Sequence, residues 1–210
     1  MQEPTTQRIY DAHSRFYDLF FGKIVRRRVA DAIRRMNIQP GETVLDLGVG
    51  TGVSLPFYPR GAKVIGIDLS GGMLQVARRK VEDNPDIHLM QADALTLPFA
   101  DDSFDHVFIS HVISVVSDPV ALVRESQRVA RADSRLFVLN HFQSDNRFIA
   151  LIEQWLCPLC TKLGWRSDLP LPEIVKGTGI EIDYRYKLEQ LDIWETVVLR
   201  NNKRMLPALG

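Results

Sequence analysis

The run VLDLGVGTG, Val44 to Gly52, is an apolar strand that ends in D-x-G-x-G-x-G. Glycines at 48, 50 and 52 let the backbone turn sharply and approach a ligand with no Cβ in the way. A helix starting just beyond them would add free N–H groups, which makes the strand end a cradle for a nucleotide or nucleoside. The dinucleotide fingerprint G-x-G-x-x-G needs glycine at position 53, where this chain has Val53, so a nicotinamide-type pyrophosphate site is disfavoured.

From Val44 onward, short β-branched runs alternate with helical patterns. Strands are predicted at Thr43–Leu47, Lys63–Asp68, Ile87–Gln91, His106–Ser110 and Arg135–Leu139. Helices are predicted near Ser70–Glu82 and Pro119–Ala130, with a short one around Val53–Tyr58. Apolar strands separated by helices form a parallel sheet covered on both faces, so the fold class is α/β, doubly wound. After Asn140 the pattern changes to a helix over Asn146–Leu163, a short one at Leu171–Lys176, and two strands in IEIDYRYKL and IWETVVLR. Two consecutive strands with no helix between them pair antiparallel, which closes the sheet with an edge hairpin.

The length of 210 residues favours one domain, at residues 39–210, with N-terminal helices over 1–38. No run of about 18 apolar residues occurs, and the polar start MQEPTTQR is unlike a signal peptide, so a cytoplasmic protein is expected. The net charge is zero, but residues 1–40 hold eight Lys/Arg against four Asp/Glu. A basic segment on a slightly acidic body suggests an anionic partner met by one face. Cys157 and Cys160 form a single C-P-L-C with no second pair, so no metal site is expected and both read as core or groove cysteines.

Two further carboxylates follow the cradle. Asp68 ends the second strand about twenty residues after the glycines, where it can accept from both hydroxyls of a ribose. Asp93 ends the third, where it can accept an adenine's exocyclic amine while the Ala94 N–H donates to a ring nitrogen. Three acidic residues at successive strand ends, with no Walker lysine, suit a phosphate-free nucleoside carrying positive charge.

From Thr43 to about Leu139 the segments LDLGVGTG, VIGIDLSGGML, ADALTLPFADDSFDHVF and DPVALVRESQRVARADSRL resemble, in order and spacing, the class I S-adenosylmethionine-dependent methyltransferases. The resemblance implies a Rossmann-like seven-stranded sheet, mostly parallel with an antiparallel C-terminal edge hairpin, and S-adenosylmethionine as cofactor. It implies that Asp46, Gly48 and Gly50, with Thr51 beside them, contact the cofactor's amino-acid part. Asp68 and Leu69 would hold the ribose and flank the adenine, Met73 would pack over the ring, and Asp93, Ala94 and Leu95 would bind its edge. Ser110 and His111 would lie near the reacting methyl group.

The acceptor has to be read from the two ends. Phe21, Val25, Val29, Ala32, Ile33 and Met36 share one helical arc, with Lys23, Arg26, Arg27, Arg28, Arg34 and Arg35 around the rest. This pattern predicts a helix lying in the interface of an anionic bilayer, the alternative being a helix packed on the body of the protein with a solvated basic face. Tyr10 and Tyr17 share a helix face ahead of it and could close over the cofactor as an aromatic lid.

FYDLFFG together with PLCTKLGWRSDLP resembles the small bacterial phosphatidylethanolamine N-methyltransferases. That resemblance implies a monomeric enzyme without a nucleic-acid partner, peripheral on the inner face of the membrane, which methylates a phospholipid amine successively. Tyr10, Tyr17 and Trp165 would line the acceptor site, and Arg147, Arg166 and Arg185, helped by Lys176, would meet the phosphate. His141, His111 and Tyr17 are the candidates for deprotonating the amine. The rival acceptor is a quinone ring methylated at carbon.

Overall fold

Five short runs rich in Val, Ile and Leu become parallel strands: β1 (Thr43–Leu47), β2 (Lys63–Asp68), β3 (Ile87–Gln91), β4 (Phe104–Ser110) and β5 (Ala130–Asn140). The computed structural model describes residues 25–82, 84–142, 171–189 and 192–203. The sheet is completed by β6 (Glu181–Tyr186) and β7 (Glu195–Arg200), in the order β3-β2-β1-β4-β5-β7-β6. Strand β7 slots antiparallel between β5 and β6, pairing Leu139 with Thr196 and Leu136 with Leu199. The sheet is thus seven-stranded and mostly parallel, with the predicted antiparallel edge.

Because side chains alternate along a strand, each strand feeds two cores. One face carries Leu45, Leu47, Val107, Ile109 and Val138 under α3 (Pro119–Val129) and α4 (Leu171–Thr178). The other carries Val44, Val64, Phe108, Phe137 and Val198 under α1, described over 25–36, and α2 (Gly71–Arg78).

Local chemistry sets the helix ends. Ser70 caps α2 by accepting from the Met73 N–H at 3.1 Å, and Asp118 caps α3 by accepting from Ala121 at 2.9 Å, with Pro119 in the first turn. Helix α2 stops at Arg78, short of the predicted Glu82, because the chain tightens there: Lys80 and Val81 donate three residues back, to Ala77 and Arg78. The predicted helix at Val53–Tyr58 is a 3-10 turn, Leu55–Phe57.

Helix α1 requires a correction. Val25, Val29, Ala32, Ile33 and Met36, the stripe expected to enter a bilayer, are all buried against the sheet. Each large apolar side chain removed from water contributes roughly 1.5–3 kcal/mol. Moving α1 into lipid would keep its own stripe dry but uncover Phe108, Phe137 and Val198 beneath it, at a cost of several kcal/mol. The basic residues are engaged too. Arg28 pairs with Asp192 at 2.6 Å, Arg27 with Glu189 at 3.3 Å, and Arg34 and Arg35 with Asp31. Arg26 and Arg35 lie over the rings of Phe57 and Tyr186. Helical periodicity found the stripe correctly; its partner over 25–36 is the protein.

Candidate active site

β1 lies between β2 and β4, so the strand order reverses between β1 and β4, the place where open α/β sheets bind ligands at the carboxyl ends of their strands. The loop after β1 is folded back on β2: the N–H groups of Gly48 and Val49 both reach the Ile67 carbonyl, at 2.9 and 3.0 Å. Gly48 has φ +70°, and a Cβ there would fall 2.7 Å from Cβ of Val112, so the loop after β4 packs directly on the glycine. Gly50, at φ +55°, differs: a Cβ would meet only the Gly48 carbonyl, 3.9 Å away, so this position faces open space.

Asp68 ties the cradle together. Its Oδ2 accepts from the Gly50 N–H at 2.9 Å and its Oδ1 from Ser70 at 2.8 Å, which fixes the carboxylate at the end of β2. Leu69 beside it is 39% exposed, an apolar surface suited to an adenine face, while Met73 on α2 is buried. Asp93 accepts from the Leu95 N–H at 2.9 Å, so the segment Asp93–Leu95 forms a half-buried turn after β3. Thr51 is buried within the cradle loop, and Ser110 ends β4 half-buried.

Asp46 sits under the cradle, fully buried. Its Oδ2 accepts from the Ser54 hydroxyl and from Tyr58 at 2.9 Å, whereas its Oδ1 finds no partner among the described residues. Burial pushes the carboxyl up to about 7 against the two hydrogen bonds that lower it, and the nearby Asp68 adds to the rise. A carboxyl held this way, beside an open glycine cradle and a second carboxylate, fits a nucleoside bearing an α-ammonium group. Sequence reasoning missed Ser54 and Tyr58. Their signal was a hydroxyl eight and twelve residues after Asp46 in the turn that follows the glycines.

The ends of β4 and β5 carry the other half of the site. His111 adopts φ +58°, a left-handed conformation that costs a non-glycine residue about 1–3 kcal/mol, and its N–H donates to the Leu139 carbonyl at 2.9 Å. Its Nε2 is sealed from water with no partner among the described residues, and burial, helped by the Arg28 charge, lowers the ring to about 4. His111 is therefore a weaker proton acceptor than an ordinary imidazole. His141 stands one strand over, its Nδ1 2.7 Å from the Ile193 carbonyl. A carbonyl only accepts, so Nδ1 carries the proton and, in the neutral ring, Nε2 is the basic nitrogen. Asn140, buried at the end of β5, accepts from Ser114 and donates to the His141 carbonyl at 2.7 Å, which fixes this corner.

The structure therefore gathers Asp46, Gly48, Gly50, Thr51, Asp68, Leu69, Met73, Asp93, Ala94, Leu95, Ser110, His111 and His141 at one end of the sheet. Arg185 lies at the same end but on the edge strand β6, two strands from β5, 3.5 Å from Glu195. Lys176 is on the last turn of α4, which leads into the opposite end of the sheet, where Glu181 pairs with Arg200. Tyr10, Tyr17, Arg147, Trp165 and Arg166 lie outside the described residues. Trp194, on the β6–β7 connection, and Arg28, on α1, were missed as site residues because only the tertiary structure brings them to His111.

Opposite titrations at Asp46 and His111 give a pH signature. Between about pH 4 and 6.5 the folded chain holds an extra proton at Asp46, which favours folding at the acid end, and lacks one at His111, which favours folding at the alkaline end. The two slopes largely cancel in the wild type. Asp46→Asn removes the first, so its unfolding free energy should gain up to about 4 kcal/mol relative to wild type between pH 4 and pH 8 in urea titrations. A difference independent of pH would contradict a buried, proton-holding Asp46.

Residues 45–138 match the protein family described as Methyltransferase domain. The chain is 38% identical over 172 residues to a phosphatidylethanolamine N-methyltransferase of Cereibacter sphaeroides, covering 79% of this chain and 83% of that one. It is 33% identical over 196 residues to a demethylmenaquinone methyltransferase of Mycobacterium sp. (strain KMS), covering 89% and 77%. Among solved structures, the methyltransferase of Haloferax volcanii in complex with the Trm112 activator shares the fold, with a TM-score of 0.74 at 21% identity over 91% of this chain and 97% of that one. A glycine cradle tied by Asp68, a buried Asp46 and this match across most of both chains converge: the protein belongs to the S-adenosylmethionine-dependent methyltransferases.

Proposed function

We propose that the acceptor is the amine of phosphatidylethanolamine, methylated successively at a membrane surface. The observation that carries this is the pair at the ends of β4 and β5: a weakly basic His111, and a His141 whose Nδ1–H is committed to Ile193. An alkylammonium, with a pKa of about 10, has no lone pair and must lose a proton before its nitrogen can attack. Nε2 of His141 is the nitrogen suited to take that proton, and the backbone carbonyl of Ile193 holds the ring for it. The cofactor, when bound, supplies an electrophilic methyl group on a sulfonium. The chain's part is to bind and orient both reactants, exclude water and move one proton.

The identity to the Cereibacter sphaeroides enzyme supports this acceptor. The demethylmenaquinone methyltransferases among the relatives support a second reading, methylation of a quinone ring at carbon. Purified protein with labelled cofactor should place label in phosphatidylethanolamine presented in liposomes, as mono-, di- and trimethyl products. Label confined to a reduced demethylmenaquinone supplied in parallel would overturn the lipid-amine reading in favour of the quinone.

A lipid acceptor requires attachment to the bilayer, on the cytoplasmic side for a protein of this kind. With the α1 stripe buried, the support lies in its exposed cations, Arg27 and Arg34, whose side chains are 77% and 76% exposed. The Arg27–Glu189 pair is a surface pair worth little in water, and the buried Asp31 that meets Arg34 keeps Arg35 as a second partner. Each cation near anionic lipid contributes about 1 kcal/mol, so Arg27→Ser/Arg34→Ser should lower activity on anionic liposomes about tenfold. Activity on detergent-dispersed lipid and affinity for S-adenosylhomocysteine should not change. Equal activity of both proteins on liposomes would remove α1 from membrane attachment.

A further inference from the structure

One short turn reaches both histidines. The Ile193 carbonyl takes the Nδ1–H of His141, and the indole of Trp194 meets the His111 ring edge-on, centroids 6.3 Å apart at 86°. The turn is itself fixed by a buried carboxylate. Asp192, its side chain 1% exposed, accepts from Arg28 Nε at 2.6 Å through Oδ2 and from the Trp194 N–H at 3.2 Å through Oδ1. The guanidinium of Arg28 then lies over the Trp194 ring, 4.7 Å from its centroid. One arginine on α1 thus holds Trp194 by its backbone, through Asp192, and by its ring.

From this geometry we infer that Trp194 is a specificity-determining residue of the acceptor site, and that Arg28 and Asp192 are the positioning residues that set its ring. The inference rests on the acceptor entering over the ends of β4 and β5. The Arg28 guanidinium covers one face of the indole, and the acceptor is placed against the remaining apolar π surface beside His111. Such a surface binds a charged amine without a carboxylate, and a carboxylate there would hold the amine in its unreactive protonated form. As methyl groups accumulate on nitrogen the acceptor becomes bulkier and less able to donate hydrogen bonds. A fixed aromatic surface, which needs no hydrogen bond from its ligand, favours those later stages. Trp194 thereby governs how far methylation proceeds. Arg28 acts at a distance from the acceptor: its guanidinium keeps the ring from rotating.

The test is a set of variants assayed with lipid in mixed micelles, reading kcat, acceptor KM, product distribution and the Kd of S-adenosylhomocysteine separately. Trp194→Ala should raise the acceptor KM at least tenfold and shift products toward the monomethyl form, with the Kd for S-adenosylhomocysteine within twofold. Trp194→Phe, which keeps an aromatic ring and the packing, should recover most of the loss, whereas Trp194→Leu, which fills the space without a π face, should not; if the alanine variant fails to fold, a wild-type acceptor KM in Trp194→Leu overturns the inference. Arg28→Met should reproduce the KM shift, Arg28→Lys should fall between, and Arg28→Met/Trp194→Ala should be no worse than Trp194→Ala alone. An unchanged acceptor KM in Trp194→Ala and Trp194→Phe, an equal loss of S-adenosylhomocysteine affinity, or additive effects in the double variant would overturn the inference. If wild type methylates the quinone and not the lipid, only the proposed acceptor fails, and the same KM comparison on the quinone judges Trp194.

Discussion

Asp68→Ala should weaken S-adenosylhomocysteine binding about a hundredfold in calorimetric titrations, the largest loss expected from any single substitution in the cradle. The carboxylate has two tasks. It accepts the Gly50 and Ser70 N–H groups, which locks the glycine loop against the end of β2, and it is placed to accept ribose hydroxyls. Hydrogen bonds to a charged group contribute about 1.5–3 kcal/mol each, so losing a ribose pair alone accounts for the expected change. Orphaning the two backbone donors should also lower unfolding free energy by about 1–2 kcal/mol. Asp68→Asn separates the tasks, because its one carbonyl oxygen can serve the loop or the ribose but its amide repels the second donor. Affinity for the asparagine variant should fall between wild type and alanine. Wild-type affinity in Asp68→Ala would mean that the cofactor does not lie across the end of β2.

His141→Ala should lower kcat about 10²–10³-fold while the Kd for S-adenosylhomocysteine stays within threefold, because the imidazole acts on the acceptor and not on the cofactor. His141→Gln can still donate to the Ile193 carbonyl but offers no base, so it should be as slow as alanine. Both variants should regain rate as pH rises, since the amine must then lose its proton to solvent before entering the site. A kcat within fivefold of wild type in both would assign deprotonation elsewhere, with His111 and Tyr17 the remaining sequence candidates. A parallel loss of S-adenosylhomocysteine affinity would make His141 a support of the cradle. His111 variants should lack this alkaline rescue, because a ring held near 4 is a weaker proton acceptor than an ordinary imidazole.

Most of the sheet was legible because strand signals are local. Thr43–Leu47, Lys63–Asp68 and Ile87–Gln91 stand as predicted, since each is a short apolar run bounded by turn residues. Boundaries moved where tertiary pairing extended a strand. Strand β5 begins at Ala130 because Phe104 pairs with it, five residues before the expected Arg135. The geometry of the glycine loop was equally readable: Gly48, Gly50 and Gly52 take the positive φ of a sharp turn, and Asp68 and Asp93 stand at or just past the ends of β2 and β3. The acceptor half was not. Trp194 follows a hairpin turn 83 residues after His111, and no periodicity relates them.

The amphipathic stripe of α1 shows where sequence stops. Val25, Val29, Ala32, Ile33 and Met36 determine that the helix has an apolar face, because 3.6 residues per turn place them together. Which apolar medium that face meets is not encoded in the period, since lipid and a protein core give the same pattern. The exposed alternative was decided by Phe108, Phe137 and Val198, distant strand residues that need a cover of their own. The sequence by itself determined the fold class, the cofactor and the face of α1; the tertiary structure decided that this face belongs to the sheet. It also decided that Arg28 belongs to Asp192 and Trp194, because ion pairs and ring contacts across more than 160 residues form only after the sheet has brought their elements together.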